Sequence, residues 1–479
     1  MLFNSFTFLI FFLVVTPLYY IIPHKWRWLL LLLASCYFYA SFIPAYLLVL
    51  FTIIIIDYTA GRLIEASAGK QRKIFLWVSL SANLGVLAIF KYYNFFIKNI
   101  NDILSTVHLH PLPIPFWRLI LPIGLSFHTF QAMSYTLEIY RGNQKAEKHL
   151  GIYALYVMFY PQLVAGPIER PQQLLPQFYE HHRPDYSGIA DGLKKMLWGF
   201  FMKVVVADRL AIYVNYIYAH VELHSRLALL TAVVFFAFQI YCDFAGYSLI
   251  AIGAARAMGF TLVQNFNIPL LSQSVTDYWR RWHISLSTWF NDYLFMPIVL
   301  HKRRWGKGAI VYGLLITFFL SGLWHGAAWT FVIWGLLHAI AMIIELLTSK
   351  LKMDPKRKSI PIHFRPGRWL ITFSFLCFTW IFFRATSIHQ ALTVISKIGG
   401  HDTPWIIAGD FQEKALLLYA LFGIACVLIA DTQTRFFGQQ QLLLYHRNPI
   451  IRLAACITLI VMIGLLGVFN GSQFIYFQF

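Results

Sequence analysis

The sequence predicts an all-α, polytopic membrane protein, and three observations predict it. The 479 residues are 59% hydrophobic and only 12% charged, with a mean hydropathy of +0.62. A soluble domain is near half apolar and a quarter charged. Apolar runs recur at lengths approaching the roughly 20 residues of a membrane-crossing helix. Basic residues fall largely between those runs, and aromatic residues such as Tyr19, Tyr20, Trp26, Trp28 and Trp369 gather at their ends, as in interfacial belts.

The first run, Phe6–Ile22, has no basic region before it and no small-residue cleavage site after it, so it reads as a retained span. Trp28–Phe42, Tyr46–Ile56 and Ile74–Phe96 follow it. Next come Leu119–Met133, Ile152–Leu163, Met196–Tyr213 and Ala228–Ile252. Trp289–Leu300, Ala309–Leu323 and Thr330–Leu347 lead to the closing runs Trp369–Phe383, Ala415–Ala430 and Ile451–Val468. Several are short for a straight crossing. The expectation is therefore roughly 11–13 transmembrane helices, with short half-inserted or interfacial helices beside them.

The chain reads as one polytopic domain. Residues 1–118 form N-terminal scaffold helices, 119–348 a core rich in low-charge polar residues, and 349–479 the C-terminal helices. The loops Arg62–Lys73, Lys302–Lys307 and Lys350–Arg368 carry four, four and seven cations, which assigns them to the cytoplasm. The Pro-rich segment His108–Pro115 lacks such charge and reads as an outer loop.

A net charge of +19 would suggest nucleic acid in a soluble protein. Here no basic folded domain exists to carry it, and cytoplasmic loops facing anionic membrane lipids account for the charge. The five cysteines lie in or beside apolar segments without CxxC spacing, so neither a disulfide framework nor a metal site is expected. No Gly-rich phosphate loop, HExxH or GxSxG motif is present.

Against this background His325 stands out. It sits in Ser321–Trp329, between the apolar runs Ala309–Leu320 and Thr330–Ile344, with basic clusters at Lys302–Lys307 and at Lys350 and Lys352. If both clusters are cytoplasmic, the chain between them must rise and return. A helix from Lys307 climbs about 27 Å by His325, close to one hydrocarbon thickness. An ionisable side chain at such depth is a functional candidate, and the competing reading is a histidine satisfied by a nearby carbonyl.

His283 follows the cationic, amphipathic stretch Asp277–Trp282. Arg280 and Arg281, beside Trp282, either snorkel from an interfacial helix or face a phosphate-bearing ligand. Asp243 is a lone carboxylate in an apolar segment; it either pairs with a cation, Arg256 and Arg280 being candidates, or has its pKa raised by burial, and a structural salt bridge competes with a catalytic role. His128, Gln131 and the pair Glu169-Arg170 are either cavity or packing residues. His338 lies thirteen residues beyond His325, off its helical face, and makes no obvious dyad with it.

Eight strings then fall in a familiar order: Asp57-Tyr58 with Gly61, Phe90–Phe96, Leu121–Gln131, Tyr160-Pro161-Gln162 with Ala165–Ile168, Tyr241–Ser248, Tyr278–Trp289, Ser321–Trp329, and Trp380 through Ala385. Together they resemble the membrane-bound O-acyltransferase family. The likeness is to its bacterial branch, which contains the alginate O-acetylation and teichoic-acid D-alanylation membrane proteins. The chain departs from that pattern at Asn291, at Ile298–Arg304 and at Leu249.

The resemblance implies helices around a central funnel or tunnel in a bacterial inner membrane, with His325 as the signature catalytic histidine and His283 as the second, either a catalytic partner or a tunnel organiser. It implies an acyl thioester donor, most simply acetyl-CoA, with no tightly bound cofactor and no metal. The donor would enter beside Arg280, Arg281, Trp282, Lys302, Arg303 and Arg304. Candidate cavity-lining residues are Trp324, Trp329, Asp243, Tyr247, His128 and Gln131, and candidate oxyanion donors are Trp324, Trp329 or backbone N–H groups at the Gly326 turn. The acceptor would be an extracytoplasmic polysaccharide, reached directly or through a periplasmic SGNH-type acetyltransferase. A transporter-like subunit that passes acyl groups or lipid without catalysis is the alternative.

Overall fold

The computed structural model describes residues 1–117, 121–164, 166–348, 364–400, 414–438, 443–469 and 474–475. Leu119, Ala165, Lys350 and Lys352 lie outside them. The described residues contain helices and no strands. Among the described residues, eight helices are long and apolar enough to cross a membrane, and Phe6–Ile21 is apolar but shorter. The chain is an all-α, multi-pass membrane protein.

Two compact units are present, residues 1–196 with 247–263, and 197–246 with 264–479. In the first unit, Tyr46–Ala66 runs a full ten residues beyond its expected end. It packs against Gly69–Leu87 and Leu125–Arg141 around a buried polar centre. Asp57 accepts hydrogen bonds from Ser79 Oγ at 2.6 Å and from Asn83 Nδ2 at 2.9 and 3.0 Å, and Ser79 meets Thr136 at 2.9 Å. Polar side chains that satisfy one another in this way join helices that lipid gives no hydrophobic reason to associate. One turn on from Asp57, a Cβ at Gly61 would stand 2.7 Å from Tyr135 Cε1, so only glycine fits.

The expected span Ile152–Leu163 is instead two helices, Leu150–Met158 and Tyr160–Leu163, broken at Phe159 ahead of Pro161. Proline lacks the N–H that a continuous helix would need there. Trp289–Leu300 lies within a continuous helical run, Ile284–Phe290 and Met296–His301 joined through a π-helical turn at Asn291–Phe295.

The second unit is built on an α-hairpin. Lys307–His325, the ascending helix, packs against Trp329–Thr348, the returning helix. Glycines bring the two backbones together. A Cβ on Gly322 would lie 2.4 Å from Phe331 O, and one on Gly335 would lie 2.2 Å from Phe318 O. Pro366–Arg384 packs on the returning helix.

A buried ion cluster holds the other side of this unit. Lys203, on the π-helical segment Phe201–Ala207, reaches Asp208 at 2.8 Å and Asp243 at 2.6 Å. Asp243 Oδ2 also accepts the Ile475 N–H at 2.7 Å. The cation that Asp243 requires is therefore Lys203, not Arg256 or Arg280; Arg256 faces Asp191 at 3.7 Å.

Candidate active site

His325 is the last residue of the ascending helix, where the chain breaks at Gly326 before turning down at Trp329. It is 2% exposed. Its ring stands edge-on to Trp324 and Trp334, both at 4.9 Å, and lies 5.6 Å from Phe383. A Cβ at Gly326 would collide with the Phe331 ring at 2.1 Å, so the turn beside the histidine admits no side chain.

His283 is fully buried and has left-handed backbone torsions, φ +44°, an unusual conformation for a residue with a Cβ. It precedes the helix Ile284–Phe290. Asn265 Oδ1 receives His283 Nδ1 at 3.1 Å, Ser285 N at 3.2 Å and Ser285 Oγ at 2.9 Å. A neutral ring donating to that oxygen carries its proton on Nδ1 and its lone pair on Nε2. Burial pushes its pKa down to about 3, so the ring is neutral at physiological pH. Trp324 brings the two histidines into one constellation, packing against His283 at 6.1 Å and His325 at 4.9 Å.

A cavity of about 1080 Å³ runs along the ascending helix in the same unit, at the upper end of the range for small-molecule sites. Ile310, Leu314, Thr317, Phe318 and Ser321 form its wall on that helix, one face at helical spacing that ends one turn before His325. Trp279 contributes to another wall, and Arg280 and Arg368 supply exposed guanidinium groups. Glu345 fixes the Trp279 segment by accepting from Val275 N at 2.6 Å, Thr276 N at 3.0 Å and Thr276 Oγ1 at 2.6 Å.

Of the two adjacent arginines, only Arg280 lines this cavity. Arg281 is buried and held by Asp277 at 2.8 Å and by the Asn267 carbonyl at 3.3 Å, so it has no guanidinium face to offer a phosphate. Trp282 is buried against Tyr278. Lys302, Arg303 and Arg304 do not line the cavity; Lys302 lies over the Trp305 ring at 4.7 Å.

Trp324 is buried at the histidines, whereas Trp329 is half exposed. Asp243 belongs to the ion cluster. Tyr247, His128 and Gln131 are residues of the first unit. There Tyr247 OH accepts the Phe3 N–H at 3.1 Å, and His128 Nε2 meets the Leu163 carbonyl at 2.5 Å. Gln131 donates to the Tyr156 carbonyl. Among the described residues, no group of three or more His, Cys, Asp or Glu side chains could hold a metal.

Arg368, a loop cation in the sequence, and His338 gain their places at the cavity only in the structure. His338 Nδ1 accepts from Trp279 Nε1 at 3.2 Å, and its Nε2 lies 3.1 Å from Thr379 Oγ1. Thr379 donates its hydroxyl proton to the Leu376 carbonyl, so His338 must donate from Nε2. The ring is a neutral brace for the cavity wall.

A family model described as MBOAT, membrane-bound O-acyltransferase family, matches residues 117–387. The chain is 38% identical over 447 residues to the "Probable alginate O-acetylase AlgI" of Azotobacter vinelandii, covering 92% of this chain and 87% of that protein. It is 32% identical over 506 residues to the "Peptidoglycan O-acetyltransferase" of Helicobacter pylori, covering 95% and 92%. With the "Teichoic acid D-alanyltransferase" of Bacillus subtilis it shares 30% identity over 295 residues, 59% of this chain and 73% of the relative. The matched segment contains both histidines, the hairpin and the cavity, and the chain belongs to the membrane-bound O-acyltransferase family.

Proposed function

We propose that this protein moves an acyl group, most simply acetyl, from a cytoplasmic thioester such as acetyl-CoA to a hydroxyl of an extracytoplasmic polysaccharide. Transfer is direct or passes through a periplasmic SGNH-type acetyltransferase, in the inner membrane of a bacterium. The reading is carried by the position of His325, at the end of a helix whose wall-forming face leads from Ile310 to Ser321. The basic residues at the foot of that helix favour a cytoplasmic donor side. Glycan hydroxyls lie across the membrane from it. The alginate and peptidoglycan named for two relatives support the acceptor class.

In this reading Arg280 and Arg368 pair with the donor's phosphates, because guanidinium groups bind phosphate bidentately. The acyl arm follows the apolar face of the ascending helix. His325 removes the proton from the acceptor hydroxyl as general base. His283, neutral and held by Asn265, organises the ring that both histidines share.

The test is His325→Ala in purified protein and in cells. Loss of thioester turnover and of glycan acetylation is expected. Turnover or acetylation retained at normal protein levels sinks the proposal, and a protein that never turns over thioester is a transporter instead.

A further inference from the structure

Trp282, Trp334 and Trp380 are 1, 0 and 1% exposed, yet their indole N–H groups meet no hydrogen-bond acceptor among the described residues. Buried indoles ordinarily find one. The buried Trp279 does so here at His338, and the half-buried Trp369 at the Leu270 carbonyl. Trp282, Trp334 and Trp380 are neighbours. Trp282 lies 5.4 Å from Trp380, Trp380 lies 5.7 Å from Trp334, and Trp334 lies 4.9 Å from His325. Three unmet donors in one chain of rings, ending on the imidazole proposed as base, require a common explanation.

The geometry points to an acceptor that arrives with the substrate: Trp334 and Trp380, with Trp282 behind them, donate to the carbonyl oxygen of the acyl thioester and hold the charge it gains. This rests on the proposed acyl transfer at His325. The donor cavity is one aromatic layer away, since Trp279 both lines it and packs on Trp334 at 5.8 Å. In the reaction, the acceptor hydroxyl gives its proton to the imidazole as its oxygen bonds to the carbonyl carbon. The C=O electron pair moves onto oxygen, among the indole donors. Collapse re-forms the carbonyl, breaks the carbon–sulfur bond, and returns the proton from the imidazolium to the departing thiolate.

Indoles suit that task. They donate without accepting, so they do not compete for the proton in flight. Packing fixes them before the charge develops, in a site of low polarity where such donors act most strongly. The half-exposed Trp329 lacks that enclosure.

The test deletes the donor and keeps the ring. Replacing the indole of Trp334, and separately that of Trp380, with benzothiophene preserves the bicyclic shape and removes the N–H; Trp334→Phe and Trp380→Phe are the coded counterparts. Acetyl-CoA turnover by the full chain is measured together with the infrared carbonyl stretch of bound, carbon-13-labelled acetyl-CoA. The expected result is a fall in kcat on the order of 100-fold, an almost unchanged donor KM, and a carbonyl band moved to higher frequency. Benzothiophene proteins with the original kcat and an unmoved band overturn the assignment. So does a loss confined to the Phe variants, which would report packing alone. An unmodified protein that shows neither turnover nor a bound carbonyl band removes the acyl-transfer reading itself, and the assignment with it.

Discussion

The carbonyl oxygen of Phe331 lies 2.4 Å from the place a Cβ on Gly322 would occupy. Both partners are backbone, so neither can swing away. Gly322→Ala is therefore expected to push the hairpin apart beside His325, destabilising the protein by about 1–3 kcal/mol, the usual range for overpacking. Thermal unfolding in detergent measures this. An alanine variant with unchanged melting temperature would mean that the two helices are not in the contact described.

His283 supplies a pH prediction whose sign is determined by its burial. Its pKa in the fold is about 3, against roughly 6.5 in an unfolded chain. Between those values the unfolded chain holds a proton that the fold excludes. Stability is therefore present above about pH 6.5 and falls as pH drops towards 3, by up to about 1.4 kcal/mol per pH unit. In His283→Gln the acid side of the stability profile should be flatter. Asn265→Ala, which frees the ring from its orienting oxygen, should lower turnover without that flattening.

Glu169 behaves in the opposite sense. Burial raises its carboxyl to about 8, against the lowering effects of the Val263 N–H at 2.7 Å and the charge of Arg170. The fold then holds a proton that the unfolded chain releases near pH 4.5. The stabilisation is complete below that pH and disappears as pH rises through about 8. Glu169→Gln should remove this alkaline loss, which unfolding curves between pH 6 and 9 would reveal; a parallel pair of curves would contradict it.

Much of this site was legible in the chain, and the reasons differ by residue. His325 was visible because an imidazole inside a long apolar run is physically expensive, and the charges around it dictated a hairpin. Asp243 announced its need for a cation, but Lys203 is 40 residues away and comes within reach through a π-helical segment that no simple periodicity reveals. Arg280 and Arg281 look equivalent as letters. Only the backbone turn decides that one lines a cavity while the other is buried against Asp277. Trp334 draws no notice as a letter and Trp380 only as part of a family string, since a missing partner for an indole N–H is a property of three dimensions.

Arg280 and Arg368 give the fourth prediction. Each loses one charge-assisted interaction with the donor on replacement by alanine, worth about 1.5–3 kcal/mol. The donor KM of Arg280→Ala and of Arg368→Ala should accordingly rise about ten-fold or more, with kcat less affected. Lys302→Ala, which does not touch the cavity, serves as the control. Equal effects from all three would place the phosphates elsewhere.

The bond from Ile475 to Asp243 spans 232 positions of the chain. A ribosome adding roughly 5–20 residues per second leaves that carboxylate oxygen waiting for ten seconds or more after its own helix has been made. The charges of Lys203, Asp208 and Asp243 can meet early in synthesis, whereas the last hydrogen bond to their cluster has to wait for the end of the chain.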